Sequence, residues 1–127
     1  MNLIGKNITY KPDNQFHLND VSFDFKKGNL YTILGRTLSG KTTFLKTIAG
    51  LLNPDTGELF FEDKDFSKIP VWERNVAMVY QQFINYPHLN VYDNIIFPLK
   101  QRKIREDQIK KDVEEALKTV GLVGFEN

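Results

Sequence analysis

One run of residues carries the clearest chemistry in the chain. Gly35-Arg36-Thr37-Leu38-Ser39-Gly40-Lys41-Thr42-Thr43 has the spacing of a phosphate-binding loop, a glycine, four residues, then Gly-Lys and a hydroxyl residue. Gly35 and Gly40 let the backbone turn N–H groups into a concavity. A helix opening near Lys41 adds the positive end of its dipole, and a polyphosphate fits such a site. Lys41 contributes a mobile positive charge. Thr42 offers a hard oxygen of the kind magnesium prefers, while Thr43 has no single assignment. Arg36, Thr37, Leu38 and Ser39 form the body of the loop. Leu38 is the unusual member, because a bulky residue at the tip is strained if its backbone sits at positive φ.

Such a loop needs a strand before it and a helix after it. Leu30 to Leu34 reads as a buried strand, and Phe44 to Leu52 carries apolar residues at helical spacing. Upstream, Asn7-Ile8-Thr9-Tyr10 and Val21-Ser22-Phe23-Asp24-Phe25 alternate apolar and polar residues as half-buried strands do, with Lys11-Pro12-Asp13-Asn14 as the turn between them. Downstream, Asn53 to Gly57 is a turn by residue type and Glu58 to Glu62 another strand. Val76 to Tyr80 is a nearly continuous apolar run, expected to be a strand covered on both faces and ending at Gln81. Asn90 can cap a helix from Val91 toward Leu99, which Pro98 strains or ends. A second helix, from about Arg105 to Val120, places Ile109, Val113, Ala116, Leu117 and Val120 on one face and stops at Gly121. Its charged residues Lys110, Lys111, Glu114 and Glu115 read as a solvated surface.

Composition bounds the rest. A 127-residue chain with 41% hydrophobic content can bury a real core. Seventeen basic against sixteen acidic residues leave a net charge of +1, so no bulk field favours nucleic acid or an anionic membrane. The absence of cysteine excludes a disulfide framework. The first residues lack the apolar run of a signal peptide, and no stretch approaches the roughly 18 apolar residues of a spanning helix. No transmembrane segment and no nucleic-acid partner are expected. His17 and His88 read as structural, since neither has a ligand set nearby in sequence.

Together with the loop, Gly50-Leu51-Leu52-Asn53-Pro54-Asp55-Thr56-Gly57-Glu58 and Met78-Val79-Tyr80-Gln81-Gln82-Phe83-Ile84-Asn85-Tyr86-Pro87-His88 make the chain resemble the ATP-binding subunit of an ABC transporter. The aromatic-Gln pair, the Tyr-Pro-His and the Val-Tyr-Asp-Asn run are most similar to importers of sugars and related small solutes. The family's usual loop tip, Ser-Gly-x-Gly, is replaced here by Thr37-Leu38-Ser39-Gly40. The resemblance implies an α/β P-loop fold: an N-terminal antiparallel β layer, a P-loop strand-helix core and the start of a helical subdomain. It divides the chain into a nucleotide-binding core over 1–82 and a partial helical subdomain over 83–127.

The resemblance also implies roles. ATP and Mg2+ are the expected ligands, bound by residues 35 to 43 with Thr42 on the metal. Gln81 corresponds to the family's Q-loop glutamine, which reaches the magnesium and the attacking water and senses the membrane partner. Gln82 is its rival, set aside because the family's glutamine directly follows an aromatic, here Tyr80. Tyr10 corresponds to the aromatic that stacks on adenine, although an aromatic in a strand also serves packing. The implied partners are a second ATPase subunit and a membrane permease, with Phe83, Ile84, Tyr86 and Pro87 as its contact surface or as subdomain core. The implied location is the cytoplasmic face of the cell membrane, peripherally through the permease. The Leu-Ser-Gly-Gly-Gln-type signature, acidic Walker B strand, catalytic glutamate and switch histidine do not occur among the 127 residues. The resemblance therefore predicts the first half of an ATPase subunit, cut before the signature, with no turnover on its own. A small-molecule kinase or GTPase, or a non-enzymatic nucleotide-binding fragment, are the alternatives. The guanine-reading Asn-Lys-x-Asp of a GTPase is absent.

Overall fold

The core-facing residues of the first two strands change parity midway. On β1 (Asn2–Tyr10) the core takes Leu3, then Ile8 and Tyr10; on β2 (Leu18–Lys26) it takes Leu18, then Val21, Phe23 and Phe25. Side chains alternate along a strand, so this pattern needs an extra residue in each. The pairing register shifts between Gly5 and Ile8 and again between Ile8 and Tyr10. Asn7 (φ 51°) and Asp20 (φ 53°) adopt the left-handed conformation that Asn and Asp tolerate best. The two irregularities are tied together: the Asn7 side chain donates to Asp20 Oδ1 (2.7 Å), the Asn7 N–H to Ser22 Oγ (2.9 Å) and the Asp20 N–H to Thr9 Oγ1 (3.1 Å). Gly5 completes the arrangement, because a Cβ there would lie 2.3 Å from the Phe23 ring and 2.8 Å from Ile8 Cδ1.

The structure is a computed structural model and describes residues 2–126, which form two compact units divided between Val79 and Tyr80. In the first unit, β1 and β2 join β3 (Thr56–Phe61) and β4 (Lys64–Asp65) in an antiparallel sheet of order β2-β1-β3-β4. Helix α1 (Lys41–Ala49) contributes Phe44 and Ile48 to a core of Ile8, Leu18, Leu59 and Phe66. Phe44 meets Phe23 edge-on at 4.9 Å between ring centroids, the preferred arrangement of aromatic quadrupoles. The expected antiparallel layer is thus present, with longer strands than the alternation alone marked.

Two expected strands are not. Leu30 to Leu34 and Val76 to Tyr80 carry no strand pairing, and Leu30, Leu34 and Val79 are largely exposed. A continuous apolar run becomes a buried strand only beside neighbours that complete its ladder. All strand pairs among the described residues are antiparallel and none reaches these segments. Tyr31 alone is anchored: its ring lies 4.4 Å from that of Phe25, and its hydroxyl accepts from the Lys26 N–H at 2.8 Å. Ahead of Val76, Arg74 is buried. It donates from Nε to the Ile69 carbonyl (2.8 Å) and from a terminal nitrogen to the Ser67 carbonyl (3.3 Å), over the Phe66 ring. Burial pulls its pKa below the usual arginine value.

The second unit is a helix pair. Asn90 caps α2 (Val91–Gln101) by accepting the Asp93 N–H at 2.7 Å. The helix runs past Pro98 to Gln101, rather than ending near Leu99. Proline removes one donor, but the helix continues on either side of it. Helix α3 (Glu106–Val120) buries Ile109, Val113 and Leu117 against Ile96, with Ala116 half-buried, and Gly121 (φ 71°) closes it. Val120 departs from the expected face and is exposed. Lys110, Lys111, Glu114 and Glu115 are exposed, as a solvated face requires.

Candidate nucleotide-binding site

Helix α1 starts without a side-chain cap. Its N-cap is Gly40, at φ 88°, a conformation that costs an L side chain but not glycine. Space adds a second requirement, because a Cβ on Gly40 would lie 2.1 Å from the His17 carbonyl oxygen. The first N–H groups of α1 have no intrahelical acceptors and so remain donors for an anion. Lys41 folds back over the loop: its Nζ donates to the carbonyls of Gly35 (2.9 Å) and Arg36 (2.7 Å) and approaches Ser39 Oγ at 3.5 Å. The ammonium is therefore held inside the ring of backbone that a phosphate would enter, by contacts that an anion can exchange for stronger ones. Ser39 closes the loop through its N–H on the Arg36 carbonyl (3.2 Å), and its hydroxyl would lie only 2.6 Å from a Cβ on Gly35. Behind the loop is a cavity of about 200 Å³ lined by Ile33, Leu34, Gly40, Lys41 and Phe44 among others.

Leu38 realises the strain foreseen for it. It sits at φ 65° in a turn at the loop tip with its side chain wholly in solvent. Arg36 and Thr37 are also exposed, and Thr42 presents an exposed side chain in the first turn of α1. No group of three or more His, Asp or Glu side chains that could hold a metal occurs among the described residues. The exposed Thr42 hydroxyl is a hard oxygen of the kind magnesium prefers.

On the other side of the loop lies the β1–β2 connection. Tyr10 is half-buried and packs on the sheet core, so the packing role left open for it is present in the structure. Its ring also stands edge-on to that of His17, with centroids 6.1 Å apart. His17 Nδ1 lies 3.4 Å from Thr43 Oγ1. The loop thus brings together residues 35 to 43 and the Tyr10–His17 turn. These contacts of His17 carry no signal in the sequence, because they join residues distant in the chain.

In the second unit, Gln81 and Gln82 are exposed in a bend, and Phe83, Ile84, Tyr86 and Pro87 are exposed rather than core. The segment is nonetheless shaped. Asn94 on α2 accepts the Tyr86 N–H through Oδ1 (2.8 Å) and donates from Nδ2 to the carbonyls of Tyr86 (3.1 Å), Leu89 (3.0 Å) and Asn90 (2.9 Å). The Tyr86 ring packs on Phe97 at 4.6 Å. No helix among the described residues is long and apolar enough to cross a membrane.

Known proteins resemble this chain in sequence and in fold. The chain is 41% identical over 122 residues to the spermidine/putrescine import ATP-binding protein PotA of Mycoplasma capricolum, and 43% identical over 122 residues to that of Acetivibrio thermocellus. Each alignment takes in 96% of this chain and 35% of the relative, so the chain spans about a third of the length of the curated relatives it matches. Among solved structures it is similar to cbiO1 from Clostridium perfringens, part of the ABC transporter complex cbiONQ (TM-score 0.79, 25% identity, 98% of this chain and 52% of that one). It is also similar to a dimeric ATP-binding cassette in a post-hydrolysis state bound to ADP and Pi (TM-score 0.83, 27% identity, 98% of this chain and 60% of that one). The family model for ABC transporters matches residues 18–127, and the chain accordingly belongs to the ABC transporter family, with its P-loop fold.

Proposed function

We propose that this chain binds Mg-ATP through residues 35 to 43 and serves an ATPase subunit that drives import of a small solute. The observation that carries the reading is the loop itself: an ammonium held over its own carbonyls, beside an uncapped helix start. Lys41 meets the terminal phosphates, Thr42 ligates magnesium and Thr43 lies toward the first phosphate. Gln81 serves as the Q-loop glutamine, on the metal and the attacking water, and Tyr10 stacks on adenine. The functional division is 1–82 for the nucleotide-binding core and 83–127 for the helical subdomain. Hydrolysis belongs to the assembly of two such subunits, and a permease docks on the exposed Phe83, Ile84, Tyr86 and Pro87, which places the protein peripherally at the cytoplasmic face of the membrane.

The solute is a polyamine in this reading, not a sugar, because the PotA relatives are named for spermidine and putrescine. Uptake of labelled spermidine by cells carrying the intact transporter tests it, and uptake of sugar alone rejects it. The nucleotide site is tested by calorimetry with Mg-ATP. A charge-assisted hydrogen bond contributes about 1.5–3 kcal/mol, so Lys41→Ala should weaken binding roughly ten- to a hundredfold. Equal affinities of the two proteins would remove the nucleotide reading.

A further inference from the structure

We infer that Leu38 is a positioning residue that weakens phosphate binding, because it makes the receiving shape of the loop one that the empty chain gives up unless an ammonium or an anion holds it. The inference rests on the ATP-binding reading and adds to it a residue that phosphate chemistry does not use. Ser39 donates its N–H to the Arg36 carbonyl at 3.2 Å, which closes a four-residue turn with Leu38 in third place. Leu38 has φ 65°, while Thr37 before it is not among the residues at positive φ. Those are the signs of a type II turn, whose third position suits glycine or asparagine. Of the described non-glycine residues at positive φ, Leu38 alone is apolar. An Asn or Asp in that conformation can hydrogen-bond locally in compensation, and a leucine cannot.

Packing does not hold Leu38 in place either. Its side chain is 99% exposed, so no neighbour offsets the strain. Backbone contacts fix the turn instead: the Arg36 carbonyl accepts from the Ser39 N–H and also from the Lys41 ammonium at 2.7 Å, and the same ammonium donates to the Gly35 carbonyl at 2.9 Å. A polyphosphate competes for that ammonium and replaces its brace with bonds from the loop N–H groups. The loop is thus held by Lys41 when empty and by the anion when filled, and whenever Lys41 swings into solvent Leu38 returns to negative φ. Only part of the empty population then has the receiving shape, and the apparent affinity falls by that fraction. A glycine in the same place would remove the bias.

Calorimetry on the whole protein with Mg-ATP and with magnesium tripolyphosphate, which has the phosphates alone, tests this. The left-handed conformation is disfavoured for an L residue by about five- to thirtyfold, which is the ceiling on the gain. Leu38→Gly should tighten both ligands several-fold and by the same factor. Leu38→Asn, which tolerates the conformation, should gain less, and Leu38→Val, whose branched Cβ tolerates it least, should bind both more weakly than the parent. In the parent, the backbone carbon shifts of residue 38 should move toward left-handed values on adding tripolyphosphate. Thermal melts without ligand separate this from a purely structural role: equal affinities across the series, with a higher melting temperature for Leu38→Gly, mean that the strain is the same empty and filled, and overturn the inference. Weaker binding by Leu38→Gly also overturns it, since the leucine would then be touching the ligand. So does a gain for Mg-ATP alone, because the loop meets only phosphates. If the parent binds neither ligand and Lys41→Ala changes nothing, the nucleotide reading itself has failed, and the inference with it.

Discussion

The sheet of the first unit and the two apolar runs beside it are made of similar residues and end in opposite states. Ile8, Leu18 and Leu59 are almost wholly buried, whereas Leu30, Leu34 and Val79 keep most of their surface in water. Hydrophobicity does not separate them, because both sets are aliphatic. Backbone pairing does. β1 has neighbours on both sides, its irregularities are matched by those of β2, and its apolar face is closed by α1. The runs from Leu30 to Leu34 and from Val76 to Tyr80 have no ladder partner among the described residues, so nothing holds their side chains against a second layer. Burial of these extended runs follows from pairing, and the phosphate loop hangs between the two regimes: its C-terminal half is built on α1 and the sheet core, its N-terminal half on the unpaired run.

The contrast predicts a large asymmetry in stability. Phe44 is buried and contacts the Phe23 and Phe25 rings, so Phe44→Ala should cost about 3–5 kcal/mol through lost transfer energy and a cavity. Leu34→Ser removes an exposed side chain and should fall within about 0.5 kcal/mol of the parent, while reducing self-association through exposed apolar surface. Urea denaturation and light scattering measure both. A Leu34→Ser loss comparable with that of Phe44→Ala would mean that the run is packed in solution and that the contrast is false.

Much of this was legible in the sequence. The phosphate loop, the Asn90 cap, the apolar stripe of α3 and the Gly121 stop follow from local spacing, and local spacing is what a sequence displays. The parity change at Asn7 and Asp20 was not, because an irregularity on one strand is defined by the residue opposite it on another. Val76 to Tyr80 shows the same limit in reverse, since a continuous apolar run states a preference for cover without stating whether cover is at hand. Arg74 could have been suspected only from its partners, which are backbone carbonyls that carry no sequence signal. The Asn94 clamp was hidden for the same reason. The contact of His17 with Thr43 was hidden likewise, because the two lie far apart in the chain.

The Asn94 clamp sharpens the comparison on the other unit, where the exposed segment is ordered without a sheet. Its Nδ2 faces three backbone carbonyls while its Oδ1 accepts a single N–H. Asn94→Ala leaves those groups to water and should cost about 1–3 kcal/mol. Asn94→Asp keeps the acceptor but turns a carboxylate oxygen toward the carbonyls, so it should cost more than Ala despite its closer shape. Amide exchange at Tyr86, read with the stability of each variant, checks this. If Asp is tolerated as well as Asn, the carbonyl contacts hold nothing and the segment is shaped by the Tyr86–Phe97 packing alone.

The smallest expected effect is a pH dependence that separates the two units by charge. In the first unit Asp65 is held down from the ordinary 3.8 to about 2, chiefly by its hydrogen bond with the Lys68 ammonium and then by that with Ser67. In the second, the Gly124 N–H lowers the pKa of Glu126. A carboxyl with a depressed folded-state pKa binds its proton more readily when unfolded. For Asp65 the contribution is therefore complete above about 3.8 and is lost as the pH falls through that value toward about 2. Both groups are partly exposed to solvent, so each contribution is small and salt-sensitive. Asp65→Asn should flatten the acid limb of stability between pH 4 and 2, which is the window set by those two values, for probes in the sheet unit. Glu126→Gln should weaken the acid dependence of stability only for probes on α2 and α3. Thermal melts followed by residue-specific NMR across that window distinguish the two, and an Asp65→Asn variant whose acid limb matches the parent would show that the Lys68 pair holds nothing of the fold.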